Sequence, residues 1–207
     1  MVSEIRIYVE GGGDSSDTKA KFRTGMSQFL QDLKELARNK SISWRIIACG
    51  TRNSTLDDFR NALSSHPNAL NVLLVDAEAP LTASMPTVHL QKRDDNWDLT
   101  GILDEQCHLM VEVMENWFLA DVDALKSFYG QQFNCNAIPP TQNVEQIAKA
   151  DVETALVKAT RNTQKGEYHK IKHGTQLLGK VNPAIVRKRA PFCDRLFKML
   201  EQEIQQT

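Results

Sequence analysis

Apolar and polar residues alternate over positions 4–9, with Ile5, Ile7 and Val9 on one side, and the run stops at Gly11-Gly12-Gly13. A period of two among β-branched residues predicts a short strand closed by a glycine turn. Asp14, Ser15, Ser16, Asp17 and Thr18 can each cap a helix, and Phe22, Met26, Phe29, Leu30, Leu33, Leu36 and Ala37 then recur at helical spacing. One long amphipathic helix is expected to about residue 39. Residues 43–48 read as a second strand ended by Gly50, and residues 55–63 as a short helix. The run Leu70-Asn71-Val72-Leu73-Leu74-Val75 is almost continuously apolar, as in a strand buried on both faces.

Residues 79–99 are polar, contain Pro80, Pro86 and the cluster Lys92-Arg93-Asp94-Asp95, and read as a long loop. Residues 108–114 resemble a further strand that turns into a helix over 116–120, where Trp117 and Phe118 are core candidates. Pro139-Pro140 marks a junction, after which helical patterns occupy 144–159, 168–179 and 189–204. Strand, helix, strand, helix, buried strand is the order of an α/β fold. The expectation is a central, mostly parallel sheet flanked by helices, with a helical C-terminal extension. The α/β domain is expected over residues 1–130. A basic helical extension over 131–207 packs on it or merges with it into one compact domain.

Composition adds little: 41% hydrophobic and 25% charged residues in 207 are ordinary for a globular chain. No run approaches the ~18 apolar residues needed to span a bilayer, and no basic-then-apolar leader is visible. A soluble, cytoplasmic protein without a membrane partner is expected. Cys49, Cys107, Cys135 and Cys193 are scattered with no C-x-x-C pair, which favours buried thiols over disulfides or zinc. The distribution of charge is more informative. Residues 158–198 hold eleven Lys and Arg against two acids, a balance of +9, whereas the remainder holds fourteen against twenty-four, or −10. A basic C-terminal segment on an acidic body points to a polyanionic partner, or to a solvated basic face beside the chain's own acids.

In an open α/β sheet, ligands bind beyond the C-terminal ends of the strands. Two of those ends carry acids here: Val9-Glu10-Gly11 and Val75-Asp76-Ala77-Glu78. In extended backbone Asp76 and Glu78 fall on one face. If the two strands are neighbours, Glu10 faces them across a gap suited to Mg²⁺ or Mn²⁺, which prefer carboxylate oxygens. Gly11, Gly12 and Gly13 would let backbone approach a phosphate closely. The motifs G-x-x-x-x-G-K-[ST], G-x-G-x-x-G and G-x-S-x-G are all absent, which argues against a nucleotide cofactor or a serine nucleophile.

A strand ending in Glu and glycine, followed by an apolar strand ending in Asp-x-Glu, resembles the TOPRIM superfamily of topoisomerases, primases and related nucleases. The resemblance implies a compact α/β fold, with Glu10 in acid/base or metal work and Asp76 and Glu78 on Mg²⁺. Glu78 replaces the usual Asp. More narrowly, the chain looks like a bacterial TOPRIM-like family found among phage-defence genes. The matching segments are Tyr8-Val9-Glu10-Gly11, Leu74-Val75-Asp76-Ala77-Glu78, residues 110–121 (Met-Val-Glu-Val-Met-Glu-Asn-Trp-Phe-Leu-Ala-Asp) and residues 168–174 (Tyr-His-Lys-Ile-Lys-His-Gly). Within the third, Glu115 either joins the acidic cluster or caps the helix that follows. Within the fourth, His169, Lys170 and His173 would share a helical face, and with Lys172 and Arg187 they are candidates for holding phosphate.

The resulting expectation is a Mg²⁺- or Mn²⁺-dependent nuclease acting on nucleic acid, serving in phage defence alongside a partner protein. Two alternatives stay open. One is a non-catalytic metal-binding or protein-interaction module of a multi-component bacterial system; the other is a phosphotransferase or small-phosphate hydrolase.

Overall fold

Strand β1 (Glu4–Glu10) lies between two parallel neighbours, β2 (Ser43–Gly50) and β3 (Leu70–Asp76), and β4 (Cys107–Met110) pairs in parallel with the outer side of β3. The computed structural model describes residues 2–81, 83–93 and 97–207. The strand order β2-β1-β3-β4 follows from how the chain is wound. From β1 it runs through α1 (Ser16–Phe29) and α2 (Gln31–Asn39) on one face of the sheet. From β2 it returns through α3 (Arg52–Ser65) on the other face to reach β3. The winding direction therefore reverses between β1 and β3, and this is where an open parallel sheet leaves a crevice at its carboxyl edge.

The pleat sorts the residues of each strand. Ile5, Ile7, Val9, Val72 and Leu74 pack towards α1, while Tyr8, Leu73 and Val75 pack towards α3. Phe59 of α3 meets Tyr8 edge-on with ring centroids 6.1 Å apart. The single long helix expected up to residue 39 is two helices, because Leu30 leaves helical geometry (φ −98°, ψ 20°) although its N–H still reaches the carbonyl of Met26. The bend lets Phe29, Leu30 and Leu33 all enter the same core.

The expected loop over 79–99 contains a helix, α4 (Pro86–Lys92), started by Pro86 and pinned where Thr87 donates two hydrogen bonds to Asp104. Asp94 and Asp95 of that stretch lie outside the described residues. The strand expected over 108–114 ends at Met110, after which residues 111–114 leave the sheet and cross over the end of β3. There follow α5 (Glu115–Ala120), α6 (Val122–Tyr129), α7 (Lys149–Thr160), a π-helical turn (Lys170–Gly174), α8 (Thr175–Leu178), α9 (Pro183–Arg189) and α10 (Pro191–Gln205).

One apolar core runs across residue 130. Phe29 of α1 stacks on Trp117 of α5 at 5.0 Å and meets Phe197 of α10 edge-on at 5.7 Å. Gly25 marks a tight join, since a Cβ there would lie 2.3 Å from the carbonyl oxygen of Thr175. No helix among the described residues is long and apolar enough to cross a membrane.

On β4, buried His108 accepts from Arg195 at 3.2 Å, and its other nitrogen lies 3.1 Å from the carbonyl oxygen of Glu105. Burial, and then the charge of Arg195, push its pKa down to about 3, so the folded ring is neutral. Stability from this group is complete above the unfolded value near 6.5 and is lost as pH falls towards 3. At pH 5 the loss is about 2 kcal/mol. His108→Gln, which offers the same donor and acceptor, is expected to flatten the fall in melting temperature between pH 7 and 5. An unchanged slope would place the acid sensitivity elsewhere.

Candidate metal centre

The reversal point between β1 and β3 is where the acids gather. Glu10, the last residue of β1, accepts a hydrogen bond from the backbone N–H of Asp76 at 3.1 Å, which fixes the two strand ends together. Asp76, the last residue of β3, is 4% exposed, and its Oδ1 accepts the backbone N–H of Met114 at 2.9 Å. That bond comes from the segment that left the sheet after Met110, so the early end of β4 serves the site. Glu78 joins the pair by a route other than the pleat. It has φ +62°, a conformation uncommon for a side-chain-bearing residue, and its N–H donates to the carbonyl of Glu112 at 2.7 Å. Among the described residues, one oxygen from each of Glu10, Asp76 and Glu78 lies within 4.8 Å of the other two. Oxygens bound about 2.0–2.6 Å from a shared ion have separations in this range.

Cations that sequence reasoning missed hold the acids together. Arg52, at the start of α3, lies 3.4 Å from Glu10 and donates to the carbonyl of Asp76 at 2.6 Å. Lys149, at the start of α7, pairs with Glu78. Neither residue sits in a recognisable motif. Only the position of Arg52 directly after the β2 glycine turn placed it near the carboxyl edge of the sheet. Lys170 stands 3.9 Å from Asp76 and 3.5 Å from Glu115.

Burial raises the proton affinity of both carboxyls at the strand ends. The Glu78 charge adds to this at Glu10, where Arg52 opposes it. At Asp76 the rise is large, and the charges of Glu10 and Glu115 contribute after burial. Burial lowers the proton affinity of Lys170, but Glu115 and Asp76 outweigh it and the net shift is upward. The upward shifts follow from gathering like charges in a buried place.

Glu115 is 5% exposed, at the start of α5. Its Oε1 accepts from the Tyr168 hydroxyl at 3.0 Å, whereas its Oε2 is buried without a hydrogen-bond partner. It belongs to the edge of the acidic cluster, joined to it through Lys170. Gly11, Gly12 and Gly13, with φ of 130°, 87° and 63°, line the same cleft as Glu10, Asp76, Glu78 and Lys170, a space of about 290 Å³. A Cβ on Gly11 would lie 2.8 Å from the Phe22 ring, so a side chain at this position would displace Phe22.

The remaining phosphate candidates are not brought to the cleft. Residues 170–174 form a π-helical turn rather than an α-helix; His169 and His173 stay adjacent, the His169 N–H donating to Nδ1 of His173 at 3.2 Å, while Lys170 turns to the acids. His173 is 3% exposed and lies 3.1 Å from the Tyr129 hydroxyl, inside an aromatic cluster. His169 caps the turn by accepting from the N–H of Lys172, whose own side chain is exposed outside the cleft. Arg187 is absent from the cleft lining, because Asp194 at 2.7 Å and Glu201 at 2.6 Å hold its guanidinium above Phe197.

Comparisons with curated proteins and with solved structures returned no match. The model of a family described as a domain of unknown function, DUF4276, matches residues 9–201, which include every residue of this centre, and the chain belongs to that family.

Proposed function

We propose that the chain is a divalent-cation-dependent phosphodiesterase acting on nucleic acid, of TOPRIM-like type. The observation that carries this reading is the meeting of the Glu10, Asp76 and Glu78 oxygens within 4.8 Å at the carboxyl ends of two adjacent parallel strands. The donor set fits Mg²⁺ or Mn²⁺: three hard carboxylate oxygens, with proton affinities already raised at two of them. Such an ion, when bound, supplies positive charge for a phosphoryl oxygen and lowers the pKa of water. Glu10, with its raised proton affinity, is placed to accept a proton from an attacking water. Lys170 faces the same cleft and would balance charge that develops on the phosphate. The glycine turn leaves room for phosphate oxygens against backbone. Resemblance of four segments to defence-associated TOPRIM-like proteins supports placing the activity in phage defence, with a partner protein.

A second reading, a non-catalytic module, draws support from Arg52, Lys149 and Lys170, which already offset the acids with no added ion. Incubating purified protein with single- and double-stranded DNA and RNA, with Mg²⁺, Mn²⁺ or chelator, separates the two. Cleavage confined to the metal-containing reactions is expected. A metal-induced rise in melting temperature with no cleavage of any substrate would favour the module.

A further inference from the structure

A second groove opens beside the cleft, between α1 and the turn that leads into α8. It measures about 470 Å³ and shares Thr18, Ile171 and Thr175 with the cleft, so the two spaces are joined across Ile171. Its remaining lining comes from Lys21, Thr24 and Gln28 of α1 and from Lys172 and Gln176 opposite, with Gly25 at the floor. No carboxylate lines it, although the chain as a whole carries −1. Ile171 is 57% exposed, between two lysines, on the lip where the spaces meet. Its side chain lines both spaces, so a ligand that crosses from one to the other meets it.

We propose that this groove holds the nucleotides flanking the scissile phosphate of one unpaired polynucleotide strand, kinked over Ile171. The inference rests on the nuclease reading and narrows its substrate class. Amides and hydroxyls at Gln28, Thr24 and Gln176 suit base edges, which are open to a protein when the bases are unpaired. Lys172 supplies charge for phosphate, and Lys21, whose exposed ion pair with Asp17 water screens, adds to it. Apolar side chains inserted between bases unstack them, and this is least costly where the strand is already single.

A duplex would need a broad cationic footprint, and of the cations in residues 158–198 Lys172 alone lines the groove. Arg187 and Lys198 are paired with Asp194. Arg195 is paired with Asp104, and Arg189 donates to the carbonyls of Ala120 and Thr141.

Fluorescence anisotropy with a labelled single-stranded oligonucleotide and its duplex, in Ca²⁺ over a salt series, tests this, with cleavage in Mg²⁺ scored separately. The single strand is expected to bind at least about tenfold tighter, with a log-log salt slope of roughly −1.4 to −2.1 for two or three phosphates. Lys172→Ala should reduce that slope by about 0.7. Ile171→Ala should weaken single-strand binding about tenfold and leave duplex binding unchanged. Both side chains are exposed, and melting curves confirm that the variants fold. Equal binding of duplex, or unaltered binding in both variants, overturns the inference even if metal-dependent cleavage occurs. Absence of cleavage alongside tight, variant-sensitive single-strand binding would overturn the nuclease reading and leave the groove standing.

Discussion

Asp76→Asn is expected to reduce metal-dependent cleavage by about 10³-fold or more, the order seen when a principal electrostatic element of a site is removed, while the metal-free protein melts at the same or a higher temperature. Asparagine is close in shape and keeps an oxygen to accept the Met114 N–H at 2.9 Å. It removes a charge that burial and the neighbouring Glu10 and Glu115 make costly to hold. The sign of the pH dependence follows. A carboxyl whose folded pKa lies above its unfolded value of 3.8 opposes folding increasingly as pH rises past that unfolded value. The variant should therefore gain on the parent from acid towards pH 7, read as a growing difference in melting temperature. Divalent ions should reverse the order. An ion present at 100 times its dissociation constant stabilises the parent by about 2.7 kcal/mol and the variant little. Thermal melts at several pH values, with Mn²⁺ or chelator, measure both effects. A large loss of stability in chelator would make Asp76 a structural residue.

The two strands that carry the acids were legible because their patterns are strong: alternation up to Val9, and an almost unbroken apolar run up to Val75. Both strands end one residue later, on the acid itself. Adjacency of those strands was only a condition in the sequence. It is met because α1 and α3 cover opposite faces of the sheet. Glu78 was expected to join Asp76 through the pleat, yet it does so through a left-handed turn. No pattern of apolar residues encodes that turn.

The failures have a common cause: side chains were placed by local period or counted as free charges. At residues 169–173 the assumed 3.6-residue period is replaced by a wider turn, which sends His173 into an aromatic cluster and Lys170 towards the acids. The +9 balance of residues 158–198 treats every cation as available. Folding pairs Arg187 with acids seven and fourteen residues later, across the junction of α9 and α10. Arg52 and Lys149 hold the site from elements whose sequences carry no chemical signature, and only the topology brings them near.

Lys170→Met is expected to lower kcat about 10²–10³-fold with a smaller change in KM, because a charge that balances the developing phosphate acts more strongly in the transition state than in the ground state. In the metal-free protein it should also cost stability. Its ammonium is the nearest cation to both Asp76 and Glu115 among the ion pairs of the described residues. The cost is modest, about 1 kcal/mol, since the Lys170 side chain is 59% exposed and water screens the pair. Glu115→Gln made in the Lys170→Met protein should recover most of that loss, as the amide keeps an acceptor for the Tyr168 hydroxyl and removes the charge left without a counter-ion. In the parent, the same Glu115→Gln change leaves Lys170 with Asp76 alone, so the two substitutions should be non-additive by a measurable margin. A purely structural Lys170 would show the thermal coupling but no fall in kcat once saturating metal had restored the fold. A catalytic electrostatic role requires both effects, with the kcat loss persisting at saturating metal and saturating substrate.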